Sequence, residues 1–121
     1  MLATTATPGL ELMVWLGYGG GIQPAGSQVK TAVSIPNVSG TWDVWKGNVS
    51  SWQYLAYRTT APSGSGNASF DLNKFFQDAL NNQGVGLSAN SYLMGIQAGF
   101  EIYSESGTLT TNSFSVTVLP P

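Results

Sequence analysis

The chain of 121 residues has the length of one domain or part of one, and its 42% hydrophobic content suffices for a single core. Charged residues make up only 8%, four basic against six acidic for a net charge of -2, so there is no positive field to draw in nucleic acid. Cysteine and histidine are absent, which excludes disulfides, thiolate or imidazole metal sites and every Ser-His-Asp or Cys-His mechanism within the chain.

The first segment, Met1 to Thr5, shows neither the basic nor the apolar region of a secretory signal. Alternation of apolar and polar residues then predicts strands at Glu11–Gly17, Gln28–Ile35, Thr41–Lys46 and Ser51–Thr59. They are separated by the turn-rich stretches Gly19-Gly20-Gly21, Pro36-Asn37 and Gly47-Asn48. Pro62 to Gly66 reads as a surface loop. From Phe70 to Asn82 the period changes: Leu72, Phe75, Phe76, Ala79 and Leu80 recur at three and four, which predicts an amphipathic helix near 70–82. Ser69 or Asp71 can cap its start and Gly84 its end. Two further strands are predicted at Ser91–Tyr103 and Thr108–Leu119. The fold class that follows is all-β, an antiparallel β-sandwich or barrel of short strands with a single helix, with residues 1–121 forming one domain or part of one.

No apolar run approaches the ~18 residues of a membrane span, so no membrane partner is expected. Polarity comes from Ser, Thr, Asn and Gln, which suits an uncharged partner such as neutral carbohydrate. Asn37, Asn48 and Asn67 begin Asn-x-Ser sequons. With no histidine or cysteine, no metal or cofactor is expected, and any catalysis falls to carboxylates.

Because strand side chains alternate, Glu11, Met13 and Trp15 share one face of the first strand while Leu12, Val14 and Leu16 share the other, the core side. On the late strand, Gln97, Gly99, Glu101 and Tyr103 share a face opposite Ile96, Ala98, Phe100 and Ile102. Alternation alone fits an ordinary solvated glutamate in either place. Two glutamates that met across neighbouring strands would be the machinery of glycoside hydrolysis, retaining at a separation of ~5 to 5.5 Å and inverting at ~6.5 to 9.5 Å. Asp43, Asp71, Asp78 and Glu105 read as capping or solvated residues. Trp42, Trp45, Trp52 and Tyr57 can stack on sugars or pack in the core.

Four segments in order carry a resemblance. Glu11-Leu12-Met13-Val14-Trp15-Leu16, followed by Gly21-Ile22-Gln23-Pro24-Ala25-Gly26-Ser27, resembles the nucleophile strand and following loop of glycoside hydrolase family 12. Trp42 to Gly47 resembles a short Trp-containing segment of that family, Phe70-Asp71-Leu72 with Phe75-Phe76 the start of its only long helix, and Gly95 to Glu101 its acid/base strand. In the last, this chain has Phe100 and Ile102 where the family usually has Thr and Pro.

The resemblance implies a secreted, extracellular, retaining endo-β-1,4-glucanase or xyloglucanase acting on β-glucan or xyloglucan. Glu11 would be the nucleophile and Glu101 the acid/base; Met13, Trp15, Pro24 and Gln97 would line the substrate cleft. It also implies a C-terminal half, since the family's jelly roll is roughly twice this size. Such a half is expected to self-associate or to accept a complementing N-terminal fragment. A non-catalytic carbohydrate-binding sandwich and an inactive fragment stay open as alternatives.

Overall fold

Alternation becomes four strands, β1 (Leu10–Trp15), β2 (Ser27–Val33), β3 (Trp42–Val49) and β4 (Trp52–Thr59), and the three-four period becomes one helix, α1 (Leu72–Asn82). The computed structural model describes residues 9–62, 67–88, 90–100 and 110–119. These divide into two units: all five elements lie in the first, within residues 6–91, and the second holds the described residues from Tyr92 onward.

The strands form one sheet in the order β1-β4-β3-β2. β3 and β4 are a hairpin, with Val49 opposite Trp52 and Ser50-Ser51 as the two-residue loop. Ser50 takes a φ of 54°, the left-handed value that a twist-matched hairpin loop requires at its first position. β2 pairs antiparallel with β3, with register shifts on either side of Lys30. One lies at Ala32, whose φ is 53° and whose amide donates to Asp43 Oδ1 at 2.9 Å. Asp43 therefore fixes a β-bulge.

β1 pairs with β4 in parallel, so the sheet is mixed and open, whereas the sequence predicts antiparallel pairing throughout. Alternation sets faces but is blind to strand direction, and β1 reaches β4 only after the chain has passed through β2 and β3. The predicted strands at 91–103 and 108–119 are corrected for the part described: residues 91–100 and 110–119 form no strand. A strand exists through its ladder of hydrogen bonds to a neighbour, and alternation supplies a face without supplying that partner. Leu93, Ile96, Phe114, Val116 and Val118 instead border an apolar hollow in the second unit, with Val118 75% exposed.

One face of the sheet carries α1. Trp42, Val44, Leu55 and Tyr57 form a core with Phe75 and Ala79 of the helix, and Leu10, Leu12 and Val14 pack at its edge. The predicted core side of β1 is thus the observed one, except that Leu16 falls beyond the strand and is 43% exposed. Phe75 meets Trp42, Tyr57 and Phe70 edge to face, at centroid distances of 5.0, 5.1 and 5.4 Å.

Polar groups then lock the helix in place. Asp71 caps its start, accepting from the Asn73 amide at 3.0 Å. At its end, Lys30 Nζ donates to the Asn82 carbonyl at 2.9 Å, and Lys46 Nζ to those of Gln83 and Gly84 at 2.7 and 3.0 Å. Two strand lysines thereby satisfy carbonyls at the negative end of the helix dipole.

Asp78, which the sequence reads as solvated or capping, is buried. It accepts from Tyr57 Oη at 2.6 Å, Gln83 Nε2 at 2.9 Å and Asn82 Nδ2 at 2.8 Å. Burial first, then the hydrogen bond and negative charge of Asp78, hold the Tyr57 phenol far above its ordinary pKa.

Candidate active site

Among the described residues, the opposite face of the same sheet carries no helix. Register places Glu11, Met13 and Trp15 of β1 beside Tyr54, Ala56 and Arg58 of β4, and Trp45 of β3 lies across from Ala56. Trp45, Tyr54 and Ala56 are buried as a small cluster, with Met13 and Val49 packed against it. The face is therefore a row of rings and a thioether, with the Glu11 carboxylate toward one end and Asp43, opposite Arg58, toward the other.

Glu11 is half-buried, and its Oε2 accepts from the indole Nε1 of Trp52 at 2.9 Å. This part-buried hydrogen bond is worth on the order of 1 kcal/mol or less net, and it fixes the direction of the carboxylate. Trp52 stands opposite Val49 at the mouth of the hairpin, so the β3–β4 turn delivers the donor. A carboxylate held in one orientation beside apolar surface can attack an anomeric carbon, provided that a second group protonates the leaving oxygen.

Among the residues predicted for the site, Glu11, Met13 and Trp15 share this face. Trp15 is 9% exposed, and its Nε1 has no acceptor among the described residues. Pro24 is buried in the loop between β1 and β2. Gln97 is exposed in the second unit. Glu101 lies outside the described residues. Two of the four candidate stacking aromatics, Trp42 and Tyr57, belong to the helix-side core.

Two residues of this face have functions that the sequence does not disclose. Trp52 reads as a stacking or core ring and proves to be the hydrogen-bond donor to Glu11. Arg58 attracts no notice in the sequence, yet its Cζ lies 4.1 Å from the Tyr18 ring centroid and 4.4 Å from that of Trp45, and its Nη1 donates to the Ile22 carbonyl at 3.0 Å. The one available signal is an arginine within an otherwise uncharged strand. All three sequon asparagines, Asn37, Asn48 and Asn67, are exposed.

A half-buried glutamate on an aromatic sheet face suits an uncharged sugar as partner. The sequence model of Glycosyl hydrolase family 12 matches residues 2–119, and the chain belongs to that family. It is 38% identical over 110 residues to a probable xyloglucan-specific endo-beta-1,4-glucanase A of Aspergillus terreus, a match covering 89% of this chain and 42% of that protein. Over 109 residues it is 36% identical to the xyloglucan-specific endo-beta-1,4-glucanase A of Emericella nidulans, covering 89% of this chain and 44% of that one. The crystal structure of a metagenome-derived glycoside hydrolase family 12 endoglucanase superimposes with a TM-score of 0.53 at 36% identity, over 64% of this chain and 32% of the other. The chain thus spans less than half the length of these curated relatives.

Proposed function

We propose that this chain carries the reactive carboxylates of a retaining, endo-acting β-1,4-glucanase that works on xyloglucan or a related β-glucan outside the cell. The observation that carries the reading is the Glu11 carboxylate, half-buried among apolar side chains and aimed by Trp52 Nε1 at 2.9 Å. The substrate class comes from the names of the relatives, and the role of Glu101 from the motif around it.

In this mechanism Glu11 attacks the anomeric carbon while Glu101 donates a proton to the departing glycosidic oxygen, leaving a glycosyl ester on Glu11. Glu101, now a carboxylate, takes a proton from water, whose oxygen displaces Glu11 from the same carbon with net retention. The fixed hydrogen bond from Trp52 reduces the reorganisation that Glu11 undergoes before attack. Met13, half-buried and packed on the buried rings of Trp45 and Tyr54, offers apolar surface near it, suited to the C–H faces of pyranose rings.

The direct test compares the reducing ends released from xyloglucan by the wild-type chain and by Glu11→Gln and Glu101→Gln. Losses on the order of 10³-fold or more support the roles. Equal rates in wild type and Glu11→Gln remove the assignment, and retained glucan binding without cleavage in all three proteins supports a binding module instead.

A further inference from the structure

At its far end from Glu11 the carboxylate face borders a loop whose backbone supplies little order of its own. Between β1 and β2 the chain passes through Gly19, Gly20 and Gly21, the last two at left-handed φ of 64° and 72°, and glycine has the most conformational freedom to lose on folding. Yet Pro24 is buried, and Gly26 is seated so closely that a Cβ there would collide with the Lys46 carbonyl oxygen. The middle of the loop is tied by one side chain from another strand. Arg58 lies over the Tyr18 ring, over the Trp45 ring, and donates to the Ile22 carbonyl. Its Nε is buried with no acceptor among the described residues, a cost that an aliphatic side chain would avoid while still covering Trp45. Asp43 stands opposite Arg58 in the register, and the two ring contacts with the bond to Ile22 join the arginine to the loop.

We infer that Arg58 is a positioning residue that clamps residues 17–24 against the helix-free face and so sets one wall of the glucan groove. The inference rests on reading this face as the glucan site. Arg58 stands opposite Trp15 in the register, whereas Tyr54 stands opposite Glu11. Four strand residues, roughly 13 Å at about 3.3 Å each, separate it from the nucleophile. It is too distant to touch the reacting bond and acts on how a neighbouring sugar unit is held.

The test combines amide hydrogen exchange with xyloglucan kinetics for Arg58→Met, Arg58→Lys and Tyr18→Ala. In Arg58→Met and Tyr18→Ala, exchange over residues 17–24 rises about tenfold while α1 amides are unchanged, KM rises about five- to tenfold, and kcat stays within about twofold. Arg58→Lys keeps the charge but loses the planar stacking fork, and falls between. Unchanged loop exchange in Arg58→Met overturns the clamp, and faster loop exchange with unchanged KM overturns its part in binding. If Arg58→Met also loosens α1, Tyr18→Ala, which leaves the sheet intact, decides by the same two readouts. Failure of the enzymatic reading looks different: wild type is then no faster than Glu11→Gln, while loop exchange still reports on Arg58.

Discussion

The two faces of the sheet are built from the same strands and spend their side chains differently. On the helix side, Val44, Leu55, Tyr57, Phe75 and Ala79 are fully buried, and the polar atoms of Asp78 each meet a donor. On the other side, the carboxylate of Glu11 is only half-buried, and Trp15 Nε1 and Arg58 Nε lack acceptors among the described residues. Trp42 Nε1 on the helix side also lacks an acceptor among the described residues, so the faces differ in their charged groups: Asp78 is buried with its donors, whereas Glu11 and Arg58 stay partly open to solvent on the opposite face. Such partly open charge on a rigid strand is where binding and chemistry are expected.

That contrast breaks most visibly under core truncation. Phe75→Ala removes the ring that Trp42, Tyr57 and Phe70 contact edge to face, and is expected to cost about 3–5 kcal/mol in urea unfolding. Equal stability would mean that α1 does not anchor the sheet.

Tyr57→Phe takes one donor from Asp78, with an expected loss of about 1–3 kcal/mol. It also changes the response to alkali. Because folding raises the Tyr57 pKa, the phenol's contribution is fully present below its unfolded value near 10 and is lost as pH rises above that value toward the folded one. The wild type should therefore lose stability above pH ~10 more steeply than Tyr57→Phe, as measured by unfolding across pH.

On the other face the order of effects reverses. Trp52→Phe keeps the ring but deletes the donor to Glu11, so its expected stability loss is below about 1 kcal/mol while kcat on xyloglucan falls roughly tenfold. A large stability loss with an unchanged kcat would show that Trp52 packs and does not position.

Much of this division is legible in the sequence. Periodicity locates β1 to β4 and α1 to within a few residues, and alternation separates Leu12 and Val14 from Glu11 and Met13, because those signals are local. What escapes is set by contacts distant along the chain. The parallel pairing of β1 with β4 cannot be read from either strand, since both directions give the same faces. Asp78 reads as a solvated helix residue because only the fold brings Tyr57 to it, 21 positions away. Trp52 lies 41 positions from Glu11, and nothing in its neighbours announces an indole hydrogen bond. The motifs around Glu11 and Glu101 suggest a catalytic pair that spacing alone could not.

The central claim is that the helix-free face does chemistry through Glu11. It is tested most directly by mass spectrometry of the chain quenched during turnover of a xyloglucan oligosaccharide with an activated leaving group. The account predicts a glycosyl adduct on the peptide containing Glu11, lost in Glu11→Gln. Turnover with inverted product and no adduct, or an adduct on another residue, would contradict it.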